Sequence, residues 1–181
     1  MTAADAIVLV QLMERNGIEI YVDGGWAVDA LLGRQTRPHD DLDVAVPHKY
    51  VPQLRKLLGE KGYEDVPRDD TRDCNFVLGD NEGCLVDVHS YSLDAEGRNI
   101  QGIAYLPEHL KGCGSINGHA VRCITPEWLV KFHTGYSLEE NDHKDVLALC
   151  QRFNIPLPLE HQEFARKGQA DTSKSSAGRI M

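Results

Sequence analysis

The sequence lacks the marks of a membrane or secreted protein. Among its 181 residues, no apolar run approaches the roughly 18 residues that a membrane-spanning helix needs. The first five residues carry an acid and no basic cluster, which does not fit a secretory signal. We therefore expect a cytoplasmic protein with no membrane partner.

Paired cysteines are also missing. The five cysteines are odd in number, and none belongs to a Cys-x-x-Cys pair. Neither a disulfide framework nor a structural zinc site is expected from this pattern.

Basic residues are scarce and scattered. The chain has 19 Lys and Arg against 28 Asp and Glu, a formal net charge of −9, and no dense basic cluster. Such a surface repels a phosphate backbone, so nucleic acid is not an expected partner. The same charge suits a cationic small molecule, although many proteins are acidic for no such reason.

The hydrophobic pattern predicts one α+β domain followed by helices. We expect an α/β core over residues 1–124, a helical part over 125–158 and a flexible tail over 159–181. The predicted elements are helices at 2–16, 26–32, 48–61, 125–133 and 138–153, strands at 18–22, 41–46, 75–78, 85–89 and 119–124, and an irregular region at 94–118.

Two carboxylates share one face of a predicted strand. In the segment Asp41 to Val46, the apolar side chains alternate with Asp41 and Asp43. Like charges at this spacing repel each other unless a cation neutralises them. Mg²⁺ prefers oxygen ligands and binds carboxylates together with substrate phosphates. The pattern therefore predicts a clamp for a metal–triphosphate complex, against the plainer reading of a solvated strand face.

A glycine turn precedes this strand. Gly24 and Gly25 are followed at once by a predicted helix that begins at Trp26. Glycines let backbone N–H groups approach an anion, and a helix N-terminus favours phosphate. A lone glycine pair is usually only a turn, so its order with the carboxylates carries the prediction.

A third carboxylate lies on a later strand. Asp87 stands among apolar residues in the segment Leu85 to His89. A carboxylate in such a strand is expected to be paired, metal-bound or catalytic. Asp87 is thus a candidate general base for an acceptor hydroxyl or a third metal ligand, with a structural ion pair as the alternative.

The stretch GGWAVDALLGRQTRPHDDLDV resembles the antibiotic nucleotidyltransferases of the polymerase-β-like superfamily, which include lincosamide nucleotidyltransferases and aminoglycoside 2″-adenylyltransferases. The superfamily signature is a Gly-Gly or Gly-Ser turn, an Asp-h-Asp strand (h, hydrophobic) and a later Asp. The segments VDVHS and FHTGYSLEENDHKDV are similar to the lincosamide branch. The resemblance covers roughly residues 5–155.

The resemblance implies a nucleotidyltransferase mixed sheet flanked by helices, with C-terminal helices, Mg²⁺ and ATP as co-substrate. Asp41, Asp43 and Asp87 would hold the metal and act in catalysis. The implied reaction transfers AMP to a hydroxyl of a lincosamide, releases pyrophosphate and confers antibiotic resistance. Related small enzymes complete a site across a dimer, so a homodimer is left open.

Several polar or aromatic residues are further candidates. For the nucleotide they are Gly24, Gly25, Trp26, Arg37, His39 and Lys131; for the acceptor they are His89, His133 and Tyr136. Core packing, loop exposure or surface placement is the alternative for each residue beyond the two glycines.

Three other functions remain open at this stage. An aminoglycoside adenylyltransferase is favoured by the acidic surface. A non-catalytic nucleotide or metabolite sensor of the same fold has little need for Asp41, Asp43 and Asp87 together. A toxin-type nucleotidyltransferase acting on protein or RNA is disfavoured because no basic surface is evident.

Overall fold

The structure is a computed structural model that describes residues 1–167. The chain divides into two compact units, Met1–Thr125 and one that begins at Pro126. Within the described residues, no helix is both long and apolar enough to cross a membrane.

The first unit is built from eight strands and three α-helices. The strands are β1 (Tyr21–Val22), β2 (Asp41–Pro47), β3 (Glu64–Val66), β4 (Asn75–Gly79), β5 (Leu85–Leu93), β6 (Asn99–Gly102), β7 (Gly112–Ile116) and β8 (His119–Cys123). The helices are α1 (Ala3–Arg15), α2 (Gly24–Leu32) and α3 (Val51–Gly59), with 3-10 turns at His48–Tyr50 and His109–Lys111.

The strands form one mixed sheet, as the sequence predicted. Their order is β3-β4-β5-β2-β1-β8-β7, and β6 pairs with the far end of β5. β2 runs parallel to β5 and β1 parallel to β8, whereas the other pairs are antiparallel. β2 and β5 each have a hydrogen-bonded strand on both sides, so their backbones, and the side chains that they carry, are held in place.

The two faces of β2 and β5 differ sharply in chemistry. Leu42, Val44 and Val46 on β2, with Val86 and Val88 on β5, are fully buried. Side chains alternate along a strand, so the residues between them emerge on the other face. That second face carries the acidic residues of both strands.

Local signals set two of the helix starts. Thr2 caps α1 in a capping box, because its side chain accepts from Asp5 N and the Asp5 side chain accepts from Thr2 N. Asp23 caps α2 by accepting from Gly24 N at 2.8 Å. α2 therefore begins at Gly24, two residues earlier than predicted, and the two glycines form its first turn.

A buried network holds the loop after α2 in place. Asp29 Oδ1 accepts from Thr36 N at 2.9 Å and from Thr36 Oγ1 at 2.5 Å. Its Oδ2 lies 2.5 Å from His39 Nε2. The His39 ring also packs on Trp26, with centroids 4.4 Å apart. This network positions the chain just before β2 begins.

The region predicted as irregular, 94–118, contains regular structure. β6, a 3-10 turn and β7 all lie in it. Close packing explains both glycines of β7: a Cβ on Gly114 would lie 2.4 Å from Ala30 O of α2, and a Cβ on Gly112 would lie 2.5 Å from Cys123 O. The prediction of an irregular region was therefore wrong for these segments.

The second unit is helical in its described part. α4 spans Pro126–Phe132 and α5 spans Glu140–Phe153. Residues 159–167 are also helical, where the sequence analysis placed the start of a tail. The rest of that predicted tail, 168–181, lies outside the described residues.

We expect Asp29→Ala to destabilise the protein by about 2–4 kcal/mol, because it removes three hydrogen-bonding contacts of a buried carboxylate and leaves the buried His39 Nε2 without its partner. Urea unfolding measures this change in the free energy of unfolding. Arg34→Ala, an exposed change in the same loop, should stay within about 0.5 kcal/mol of the unchanged protein. Equal effects of the two substitutions would contradict the structural role of Asp29.

Candidate active site

The parallel pairing of β2 with β5 brings the predicted carboxylates together. Asp43 is the register partner of Asp87, and His89 follows opposite Ala45. Asp41, two residues before Asp43, lies on the same face. One ligand atom each from Asp43, Asp87 and His89 lie within 4.8 Å of one another.

The pKa of Asp43 is raised strongly by its surroundings in this cluster. Burial, and after it the negative charge of Asp41, raise the pKa of Asp43 to about 7. Asp23 and Asp87 add to the repulsion, and His89 opposes it. At neutral pH the site therefore holds an incompletely ionised carboxyl group.

Asp87 is mostly withdrawn from solvent, with its side chain 13% exposed. Burial raises the pKa of Asp87, although His89 and Arg68 pull it down. Its Oδ2 accepts from Arg68 Nη1 at 3.1 Å. Its Oδ1 is buried with no hydrogen-bond partner among the described residues, and His89 Nε2 lies 3.4 Å away.

His89 bridges two carboxylates. Its Nδ1 lies 3.9 Å from Asp23 Oδ2 and its Nε2 lies 3.4 Å from Asp87 Oδ1. Burial alone lowers the pKa of His89, but the surrounding carboxylates outweigh it and raise the value to about 9. The imidazole is therefore positively charged at neutral pH.

Asp23 connects the helix to the cluster. Its backbone N–H donates to Asp43 O at 2.9 Å, and its carboxylate accepts from the buried Tyr105 hydroxyl. Burial raises the pKa of Asp23, but the charge of His89 and hydrogen bonds from the Tyr105 hydroxyl and the Gly24 N–H hold it below its usual value. Asp23 is thus an ionised, fully bonded support for His89.

Both glycines at the start of α2 are required by close packing. Gly24 has φ +54°, and a Cβ there would lie 2.1 Å from Asp43 Oδ2. A Cβ on Gly25 would lie 2.5 Å from His39 Nδ1. The N-terminus of α2 therefore reaches the carboxylate cluster, where its backbone N–H groups favour an anion.

The other candidates of the first unit have structural partners. Trp26 is 1% exposed and His39 is 4% exposed, and each packs on the other. Arg37 lies beside Gly25, with its Nη1 donating to Pro38 O at 3.1 Å. The geometry gives Trp26 and His39 a supporting role in the loop, and nucleotide contact by the three residues stays a prediction.

The remaining candidates lie in the second unit. Lys131 Nζ sits 4.2 Å from the centroid of the Trp128 ring. His133 Nδ1 is 2.8 Å from Leu129 O. Tyr136 is 49% exposed, and burial of its hydroxyl end together with Asp142 raises its pKa. Their roles toward nucleotide or acceptor stay predictions.

Comparison with known proteins decides the family. Residues 6–149 match the model of the aminoglycoside-2″-adenylyltransferase family. The chain belongs to this family. The resemblance carried by the glycine turn and the aspartates is confirmed, and the chain is a nucleotidyltransferase.

Three members or neighbours illustrate the likeness. A lincosamide resistance protein of Staphylococcus haemolyticus is 28% identical over 152 residues, 81% of this chain and 92% of that protein. A 2″-aminoglycoside nucleotidyltransferase of Klebsiella pneumoniae is 50% identical over 133 residues, 68% of this chain and 67% of that protein. The crystal structure of the lincosamide adenylyltransferase LnuA with lincomycin bound superposes with a TM-score of 0.72 at 25% identity, covering 82% of this chain and 96% of LnuA.

The carboxylate cluster of this family member fits a divalent cation. Burial and the neighbouring carboxylates raise the pKa of Asp43, and Asp87 Oδ1 is buried without a hydrogen-bond partner among the described residues. Both groups favour a positive charge beside them, and carboxylate oxygens are the ligands that Mg²⁺ prefers.

Three residues of the site were not singled out from the sequence. Asp23 directly precedes the glycine pair, and an acid just before a Gly-Gly helix start is a usable capping signal. Arg68 lies in a polar loop, and Tyr105 is 82 positions from its partner Asp23. No local pattern could have linked these two residues to the carboxylates.

In the metal-free enzyme we expect Asp43→Asn to stabilise the fold increasingly as pH rises. The folded pKa of Asp43, about 7, lies above the unfolded value of about 3.9. Between about pH 4 and pH 7 the folded protein keeps the Asp43 proton, whereas the unfolded chain has lost it. The free energy of unfolding of the unchanged protein therefore falls as pH rises from about 4 to about 7. The asparagine variant escapes that loss, which has a ceiling of about 4 kcal/mol.

Chemical unfolding in EDTA at pH 5 and pH 8 measures this difference. Asp73→Asn, which changes an exposed carboxylate, is the matched control. A stabilisation of Asp43→Asn that does not grow with pH would contradict the crowding described above.

Proposed function

We propose that this chain transfers AMP from ATP to a hydroxyl group of a lincosamide antibiotic, with Mg²⁺, and so confers resistance to it. The observation that carries the proposal is the meeting of Asp43 and Asp87 in register on parallel strands, beside the N-terminus of α2. This arrangement offers carboxylates for a metal and backbone N–H groups for phosphate at one place.

The roles follow from the chemistry of each group. Asp41, Asp43 and Asp87 would hold Mg²⁺, which supplies charge neutralisation for the phosphates when bound. The first turn of α2, at Gly24 and Gly25, would bind the triphosphate through its backbone. Positioning and electrostatics account for most of the rate in such a transfer, since the protein forms no covalent bond.

The acceptor oxygen attacks the α-phosphorus, a new oxygen–phosphorus bond forms, and the bond to pyrophosphate breaks. The hydroxyl proton goes to Asp87, whose Oδ1 has no hydrogen-bond partner among the described residues. The raised pKa of Asp87 makes it a stronger base than an exposed aspartate. His89, 3.4 Å from that oxygen, orients the carboxylate and faces the acceptor.

The extent of the sequence alignment and the structural likeness support a lincosamide acceptor. The aligned region spans nearly all of the lincosamide resistance protein but about two thirds of the aminoglycoside enzyme. LnuA, whose structure holds lincomycin, covers most of this chain. We also infer that Lys131 contacts phosphate, that His133 and Tyr136 line the acceptor site, and that the ATP-dependent reaction is cytoplasmic.

An aminoglycoside is the second candidate acceptor. The family model and the 50% identical relative favour it. A polycationic acceptor would also be attracted by the carboxylate cluster and by the net charge of −9.

We expect purified protein with ATP and Mg²⁺ to release pyrophosphate when lincomycin or clindamycin is added, and the antibiotic to gain one AMP by mass spectrometry. Gentamicin and tobramycin are the matched acceptors for the second candidate. If only the aminoglycosides react, AMP transfer stands and the proposed lincosamide acceptor is wrong. No transfer to either class would refute the proposed function.

We expect Asp87→Asn to lower the rate of transfer by about 10²–10⁴-fold, because the amide cannot accept the hydroxyl proton. ATP affinity should change little if proton transfer is its main task. Single-turnover kinetics and equilibrium nucleotide binding separate the two effects. An unchanged rate would remove Asp87 from the mechanism, and a parallel loss of ATP binding would make it chiefly a metal ligand.

A further inference from the structure

Arg68 projects from a defined turn at the edge of the carboxylate cluster. It lies in the loop between β3 and β4, where its backbone N–H donates to Thr71 Oγ1 at 2.7 Å. Thr71 N in turn donates to Arg68 O at 3.1 Å. These two bonds fix the start of the side chain, whereas the side chain itself stays 40% exposed.

The guanidinium group of Arg68 spans both carboxylate strands. Its Nη1 lies 3.1 Å from Asp87 Oδ2 on β5, and its Nη2 lies 3.7 Å from Asp41 Oδ2 on β2. The planar fork of arginine suits such a pair of contacts. Arg68 therefore provides positive charge at the open side of the cluster.

The charges of the cluster show why this contact matters. Asp23, Asp41, Asp43 and Asp87 crowd together, and His89 pairs with two of them on the inner side. Arg68 pairs with Asp41, which makes no ion pair with His89, and with the Asp87 oxygen that faces away from His89. It places a positive charge on two of the carboxylates that would hold a metal ion, since Asp87 Oδ2 is already its acceptor.

We propose that Arg68 is a positioning residue that acts as the counter-ion of Asp41 and Asp87 before the metal binds, and that the divalent cation and Arg68 compete for these carboxylates. The inference rests on the proposed function, because it takes this cluster as the metal site. A divalent cation and a guanidinium group on the same two carboxylates repel each other, so binding of one weakens the hold of the other. The released fork, which matches two phosphate oxygens, then pairs with the triphosphate.

If Arg68 moves from the carboxylates to the triphosphate, its removal should strengthen metal binding in the absence of nucleotide and weaken ATP binding. Arg68→Gln should bind Mn²⁺ about two- to tenfold more tightly in the absence of nucleotide, the range for removal of one partly screened like charge. With Mn²⁺ saturating, the same variant should bind ATP more weakly. A residue that only supports the fold would weaken both.

Stability in EDTA is the third readout. Without metal, Arg68→Gln should melt about 2–4 °C below the unchanged protein at pH 8, because Asp41 and Asp87 lose their counter-ion. Arg68→Lys keeps the charge and should restore most of this loss. Arg98→Gln, which breaks an Arg–Asp pair outside the cluster (Nε to Asp94 Oδ2, 2.7 Å), should change neither Mn²⁺ nor ATP affinity.

Electron paramagnetic resonance of free Mn²⁺ and calorimetry with ATP measure these affinities. Unchanged or weaker Mn²⁺ binding by Arg68→Gln would overturn the competition, and unchanged ATP binding would overturn the transfer to phosphate. If the unchanged protein bound no Mn²⁺ with or without ATP, the metal site of the proposed function would fail, and this inference would fail with it.

Discussion

Repulsion among carboxylates on one face of β2 and β5 is the constraint on which the rest of the site depends. Asp43 lies half-buried beside Asp41, and its register partner is Asp87. The fold meets this cost with two cations, His89 from the inner side and Arg68 from the open side. A divalent cation would neutralise the carboxylate charge that His89 and Arg68 leave unpaired.

The scaffold keeps these charges from moving apart. On the face of β2 and β5 opposite the carboxylates, the valine and leucine side chains are fully buried. A shift of one residue in register would exchange the apolar and acidic faces, which the core does not permit. The first turn of α2 closes the site because two glycines let its backbone approach Asp43 and His39.

Sequence patterns predicted the elements that have strong local signals. The alternation in β2, the Thr2 cap of α1 and the hairpin of β4 and β5 were all confirmed. The patterns missed β3, β6 and β7. In β7 the two glycines are set by close packing, Gly114 against α2 and Gly112 against the backbone at the end of β8, and not by strand propensity. The partners Arg68 and Tyr105 could not be predicted either, since their contacts with Asp87 and Asp23 depend on tertiary structure.

The account holds that the crowded carboxylates form a divalent metal site. Its most direct test is the melting temperature at pH 8 as Mg²⁺ is added in the absence of nucleotide, for the unchanged protein and for Asp43→Asn. We predict a saturable rise for the unchanged protein and none for the variant, which should start from a higher value in EDTA. An equal rise in both proteins, or no rise in the unchanged protein, would contradict the account.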